Sequence, residues 1–297
     1  MPWALVAGTS LAAGCSNPPQ SGSGTDPPWP VMWSGDGGAP SGWALAWSDE
    51  FDQPDGADAD PTKWSHDVGN GSQGWGNQER EYYTPGTMNT VTMGGSLVIS
   101  ATRQGASSYS CWYGTCQYTS GRINTQVAFS QAYGRFEARM QIPQGAGLWP
   151  AFWLLGADVV EDGWPQCGEI DIMENSGDTP QINHGSLHIA GPGGAAATLT
   201  DLYEASGSQS LADGFHTYAI DWTPDAIWFY VDDDLYETQT REGAASESDS
   251  WPFDSPFFII VNLAVGGNFT GDPSQTALPQ SLKVDWVRVY KQTGGGG

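Results

Sequence analysis

Three acids alternate with apolar residues in Gly168-Glu169-Ile170-Asp171-Ile172-Met173-Glu174-Asn175. On a regular strand Glu169, Asp171 and Met173 would share one face and Glu174 would point to the other. One extra residue at Ile172-Met173, a β-bulge, returns Glu174 to the face of Glu169. The two glutamates then stand four strand steps apart, about 13 Å between Cα atoms at about 3.3 Å per step. Side chains leaning inward close that gap to about 5–5.5 Å between carboxyls, the separation used for glycoside cleavage with retention. Such chemistry needs one ionised carboxylate to attack the anomeric carbon and one protonated carboxyl to release the leaving sugar. Crowding three acids together lifts at least one pKa, because like charges disfavour further ionisation. Asp171, between the glutamates, can share a proton with Glu169 and hold its orientation. The competing readings are a solvated acidic face and a calcium site. Acids interleaved with Ile170, Ile172 and Met173, downstream of Trp149, Trp153 and Trp164, do not suggest open solvent. Calcium among them would disable the acid role.

The elements that must carry this stretch read as strands. In 133–142, Phe136, Ala138, Met140 and Ile142 share one face, and Arg135, Glu137, Arg139 and Gln141 share the other. Segments 96–101, 215–222, 227–232 and 282–290 also alternate. The run 257–265, apolar but for Asn262, reads as a central strand covered on both faces. Turn signals such as Gly94-Gly95 and Thr223-Pro224-Asp225 separate these segments, and none of them holds a helical period. Many short strands indicate a sandwich or barrel. The expected fold is all-β: a jelly-roll sandwich, concanavalin A-like, with one concave face as a substrate groove.

Composition narrows the partner. Trp reaches 15, beside 11 Tyr and 10 Phe, more aromatic surface than a core alone requires. Flat rings stack on the apolar faces of sugars. Asp and Glu total 34 against 10 Lys and Arg, a formal net charge of -24, so nucleic acid is excluded as a partner and anionic polymers are disfavoured. A neutral polymer is not. The acidity itself needs no role beyond solubility outside the cell.

The ends of the chain have a different character. Residues 3–14 are apolar or small and uncharged, too short to span a bilayer, and read as an export signal. They lead into Leu11-Ala12-Ala13-Gly14-Cys15, which resembles a bacterial lipobox with Cys15 as the acylated residue; an ordinary signal with an incidental Cys is the alternative. Residues 1–15 are thus assigned to a signal, 16–42 to a Pro/Gly/Ser-rich linker, 43–291 to the catalytic domain and 292–297 to a Gly-rich tail. The expected location is secreted or extracellular, with a cell-surface lipoprotein as the anchored form, and the expected state is a monomer. Cys111 and Cys116 enclose four residues that a hairpin-like loop could bridge in an oxidising compartment, which leaves Cys167 as a buried thiol. No paired CxxC or His/Cys cluster suggests zinc.

The acid stretch resembles the Glu-x-Asp-x-x-Glu signature of glycoside hydrolase family 16, in the bulged form of laminarinase-like β-1,3-glucanases. Similar landmarks run from Trp47-Ser48-Asp49-Glu50-Phe51 and Trp75-Gly76-Asn77-Gln78-Glu79 through Gly147-Leu148-Trp149-Pro150-Ala151-Phe152-Trp153 and His184-Gly185-Ser186-Leu187-His188. They end at Asn262-Leu263-Ala264-Val265-Gly266-Gly267-Asn268 and Val284-Asp285-Trp286-Val287-Arg288-Val289-Tyr290, so the resemblance spans nearly all of 43–291. It implies Glu169 as nucleophile, Asp171 as helper and Glu174 as acid/base. It implies that Trp149, Trp153 and His188 line the subsites beside the scissile bond, with Asn77, Arg122 and Asn268 further along the groove. Plain core packing is the alternative for Trp153, and Trp149 is the better stacking candidate. Arg122 and Arg135 could instead only pair with surplus acids. The resemblance implies no cofactor for catalysis. It also implies a structural calcium ion on the convex side, held by Glu50, the Gly95 backbone and Asp285, an oxygen-only set suited to that ion.

The resemblance thus implies endo-hydrolysis of a β-1,3-glucan. A mixed-linkage β-1,3-1,4-glucanase is the nearest rival, although such enzymes more often carry the unbulged spacing and Met173 departs from it. Another neutral-polysaccharide hydrolase is a further alternative. A carrageenase would want a basic groove, which 10 basic residues hardly supply. A non-catalytic β-glucan-binding protein is the reading from another class, and both retained glutamates speak against it.

Overall fold

The computed structural model describes residues 42–293 apart from 208 and 249, together with residue 39. The signal-like segment with Cys15, nearly all of the 16–42 linker and residues 294–297 lie outside the described residues.

Two antiparallel sheets are stacked face to face. The first runs Asp234–Thr240, Ala226–Val231, His216–Trp222, Gly134–Gln141, Gln280–Gln292, Ser96–Ala101, Thr90–Met93. The long Gln280–Gln292 strand shares its other edge between Ser96–Ala101 and Trp43–Asp49. The second sheet runs Ala196–Glu204, Ile182–Ala190, Glu169–Glu174, Leu148–Gly156, Phe257–Val265, Arg122–Asn124, Ser65–His66. Only two one-turn α-helices, Val159–Asp162 and Arg241–Ala244, occur among the described residues. The fold is the expected jelly roll.

The core lies between the sheets, and period-two alternation builds it. Phe136, Ala138 and Met140 face inward from one sheet with no exposure, as do Val284, Val287 and Val289. They meet Phe152, Leu154, Ile170, Ile172 and Met173 of the other. Each large side chain so buried contributes roughly 1.5–3 kcal/mol. Every residue of Phe257–Val265 is buried, as a run apolar but for Asn262 predicts for a strand with neighbours on both edges and cover on both faces. Arg135 is also buried, and holds Glu137 at 2.8 Å, Asp221 at 3.3 Å and Asp233 at 3.4 Å, so it pairs with surplus acids inside the first sheet.

Several strands have no counterpart in the sequence reading, among them Trp43–Asp49, Leu148–Gly156, Ile182–Ala190, Ala196–Glu204 and Asp234–Thr240. Ala196–Glu204 is a largely exposed edge strand, so burial does not enforce its alternation. Ile182–Ala190 is interrupted by Gly185, where an added Cβ would lie 2.4 Å from both Glu237 Oε2 and Tyr236 OH. Glycine there lets the facing sheet approach closely.

Candidate active site

The acid strand is bulged where its spacing requires. Asp171 pairs with Trp153 and Met173 with Phe152, which leaves Ile172 as the extra residue. On the other edge Asp171 pairs with Ser186 and Glu174 with His184, three residues facing two. Ile170, Ile172 and Met173 therefore all enter the core, and Glu169, Asp171 and Glu174 all face away from it.

They open into a cleft of about 680 Å³ across the second sheet. Every catalytic or substrate-binding residue expected from sequence lines this one cleft: Glu169, Asp171, Glu174, Trp149, Trp153, His188, Asn77, Arg122 and Asn268. Trp75, Glu79, Trp164, His184, Asn262 and Phe269 line it as well, without having been assigned to it. Most of these sit in the quoted landmarks, but nothing in their spacing separates a cleft residue from a core one. Phe269 follows Asn268 directly, and Trp149 and His184 both pack on its ring, at 5.1 and 4.9 Å. His184 is half-buried, and burial pulls its pKa down, so it stays neutral.

His188 lies directly across the ladder from Glu169. Its Nε2 stands 3.0 Å from Asp171 Oδ2 and 3.8 Å from Glu169 Oε1, and its Nδ1 is 2.9 Å from Thr198 Oγ1. Burial opposes a charge on His188. The hydrogen bond and charge of Asp171, with Glu169 and Glu174 behind it, outweigh burial and raise the pKa to about 9. Burial, then repulsion from Asp171, raises Glu169 to about 8, against the counter-pull of His188, the Trp164 indole and Arg122. The same two causes push Glu174 well above the carboxylate range. These groups titrate as one cluster. Glu174 therefore holds its proton more tightly than a free carboxyl, and the His188 cation lies beside Glu169 and Asp171. The cleft thus sets a carboxyl that holds its proton tightly, two further carboxyl groups and a compensating imidazolium side by side. Glu169, Asp171 and His188 are also close enough together to hold a metal ion, but His188 already supplies the compensating charge.

The two central tryptophans take unequal places. Trp149 is largely buried and donates from Nε1 to Glu174 Oε1 at 3.0 Å, so it orients the acid more than it offers an open stacking face. Trp153 is the more open, with Arg122 over its ring at 4.9 Å. Arg122 also lies 4.6 Å over Trp75 and donates from Nε to Asp67 Oδ2 at 2.8 Å. It pairs with a surplus acid and packs in the cleft at once.

Two loops close one end of the cleft. The turn at 73–78 presents Trp75 and Asn77, and the turn at 266–269 presents Asn268 and Phe269. The Asn268 N–H donates to the Asn77 carbonyl at 2.8 Å, and the Arg80 N–H to that of Val265 at 2.8 Å. Gly74 makes the first loop possible. Its φ is +62°, and an added Cβ would lie 2.3 Å from the Glu79 carbonyl oxygen.

The expected calcium ligands belong to the opposite sheet. Strand pairing sets Glu50, Gly95 and Asp285 near one another, since Asp49 pairs with Val287 and Leu97 with Val284. Arg288 holds Glu50 through both carboxylate oxygens, at 3.0 and 2.7 Å, and Arg139 holds Asp285 at 2.5 Å. As arranged, each carboxylate is paired with an arginine. Cys111 and Cys116 form a disulfide, and Cys167 is a buried free thiol.

Comparison with known proteins agrees with this geometry. A profile of glycosyl hydrolases family 16 matches residues 78–288. The chain is 41% identical over 261 residues to a β-glucanase of Rhodothermus marinus, covering 84% of this chain and 85% of that protein. It is 37% identical over 264 residues to glucan endo-1,3-β-glucosidase A1 of Niallia circulans, covering 85% of this chain and 38% of that longer protein. The solved endo-β-1,3-glucanase of Pyrococcus furiosus superposes with a TM-score of 0.77 at 40% identity, covering 85% of this chain and 96% of the other.

Proposed function

The chain belongs to glycosyl hydrolases family 16, and on that premise we propose that it cleaves β-1,3-glucan within the polymer, with retention, through a covalent glycosyl-enzyme intermediate. The bulge at Ile172 carries this reading, because it turns both Glu169 and Glu174 into one aromatic cleft. Glu169 attacks the anomeric carbon while Glu174 protonates the departing oxygen. Glu174, now ionised, then takes a proton from water, which attacks the same carbon and releases Glu169. Asp171 and His188 hold charge beside Glu169 through both steps. No cofactor is required.

The character of the cleft supports a neutral substrate. Arg122 and His188 are the only cationic residues among its described lining, and each is already paired with an acid. The preference for β-1,3 linkages rests on similarity to laminarinases and β-glucanases. Reducing ends released from laminarin, lichenan and agarose test the proposal, with laminarin cleaved fastest and internal cuts appearing first. Preferential cleavage of lichenan would make the chain a mixed-linkage enzyme. Binding to laminarin without cleavage would reject hydrolysis.

A further inference from the structure

A hydrogen-bond chain with a fixed direction runs beneath the cleft. The Trp153 indole Nε1 donates to Asn262 Oδ1 at 2.8 Å, and Asn262 Nδ2 donates to the Tyr83 hydroxyl oxygen at 3.1 Å. That hydroxyl donates to Glu79 Oε2 at 3.0 Å, and the other oxygen of Glu79 accepts from Asn77 Nδ2 at 3.1 Å. Tyr83, Asn262 and Glu79 are all buried, at 0%, 6% and 4% exposure, so a partner lost at the Tyr83 hydroxyl is not readily replaced by water.

Both ends of this chain are one-sided. An indole N–H can only donate, and a carboxylate can only accept. Tyr83 must therefore spend its proton on Glu79 and accept from Asn262. Asn262 must in turn present its oxygen, not its nitrogen, to Trp153. We infer that Glu79 is a positioning residue for the sugar-binding cleft: its carboxylate sets the direction of the chain that fixes Trp153 and also holds Asn77. The inference rests on the reading of the cleft as a glucan-binding site. Neighbouring Glu81 reinforces it. Glu81 is wholly buried, its Oε2 accepts from the Val265 N–H at 2.7 Å, and its Oε1 meets no donor. Burial first, and then the charge of Glu79, push its pKa well up.

Glu79→Gln breaks the direction while preserving shape. If the amide nitrogen faces Tyr83, the hydroxyl must accept from it and turn its own proton to Asn262. The Asn262 amide then flips and sets donor against donor at Trp153. If the nitrogen faces Asn77 instead, that cleft residue loses its acceptor.

The experiment measures laminarin kinetics for the wild type, Glu79→Gln, Tyr83→Phe, Trp153→Phe and the Glu79→Gln/Trp153→Phe double variant. Glu79→Gln and Tyr83→Phe are expected to raise KM about tenfold, the scale of one charged hydrogen bond, with a smaller change in kcat. The double variant is expected to be no weaker than the weaker single, because both changes act through one indole. Wild-type KM in both Glu79→Gln and Tyr83→Phe, or losses that multiply in the double variant, would overturn the inference. If Glu79→Gln does not fold, Tyr83→Phe takes its place in the cycle with Trp153→Phe. An arm independent of hydrolysis takes the emission of Trp153 as the difference between each background with and without Trp153→Phe. Tyr83→Phe should shift that difference spectrum, and an unchanged one counts against the inference. A wild type inert on laminarin would overturn the proposed function and leave this arm to decide the positioning role.

Discussion

Glu169 and Glu174 share a strand face, a source of burial and a repelling neighbour in Asp171, so only their partners distinguish them. Glu174 takes the Trp149 N–H, whereas Glu169 faces His188 and Asp171. If Glu169 is the nucleophile, Glu169→Ala cannot form a glycosyl-enzyme, and activity should fall by several orders of magnitude. Azide should restore turnover by entering the vacated face, giving an α-glycosyl azide. Glu174→Ala should still form the intermediate from substrates with a good leaving group, and azide should then give the β-product. Products of one anomeric configuration from both variants would reverse or dissolve the assignment. A second expectation concerns stability. The folded protein holds the Glu169 proton more tightly than the unfolded chain, with a pKa of about 8 against an ordinary 4.5. Wild-type stability therefore falls as pH rises through that window, and His188, raised from 6.5 to about 9, slopes the same way. Glutamine at 169 carries no charge and removes one cause of the His188 shift. The melting temperature of Glu169→Gln should match the wild type near pH 4.5 and exceed it increasingly toward pH 8. A difference that stays flat with pH would mean the cluster stores no such cost.

At the scale of elements, what was legible was what periodicity enforces. Strands with one buried face, such as Gly134–Gln141, declare themselves through Phe136, Ala138 and Met140. The bulge was legible because only a slipped register can bring both glutamates to one face. Ala196–Glu204 was not, since an exposed edge strand has no face that must be apolar. The loop at 73–78 was quoted as a landmark, yet its shape depends on left-handed backbone at Gln73, Gly74, Trp75, Gly76 and Gln78, which no alternation encodes. That loop makes its own prediction. Gly74→Ala would place a methyl 2.3 Å from the Glu79 carbonyl and 2.4 Å from its nitrogen, so backbone must move. The cost should be about 1–3 kcal/mol, and the displaced Trp75 and Asn77 should raise KM for glucan more than they lower kcat. Gly76→Ala in the same loop meets nothing within 4 Å and is the control. Equal effects from the two would mean that crowding at Gly74 is not what shapes the cleft.

At the scale of the whole molecule, the acid surplus has to be read from how the charges pair. The net charge of -24 is visible in composition, but its distribution is not, because pairing is a matter of fold. Arg135 lies inside one sheet with three acids, Arg122 is tied to Asp67 beside the cleft, and Arg139 and Arg288 hold Asp285 and Glu50 on the far sheet. Lys63, Arg80 and Arg241 pair with Asp49, Asp272 and Asp254 as well, so the excess negative charge is left to repel itself. Added salt shortens the reach of that repulsion, to about 8 Å at physiological ionic strength and about 3 Å at 1 M. The melting temperature should therefore rise as sodium chloride is increased from low levels toward 1 M. Catalysis should behave differently. A neutral glucan stacked on indole rings gains nothing from long-range attraction, so KM for laminarin should change little over the same range. An anionic polysaccharide would instead meet an acidic cleft whose two cations are already paired, and its cleavage would depend steeply on salt. Titrating both quantities on one preparation separates the cases. A melting temperature that climbs while KM stays level supports the neutral substrate, whereas a KM that tracks ionic strength would show that charge on the polymer is being read.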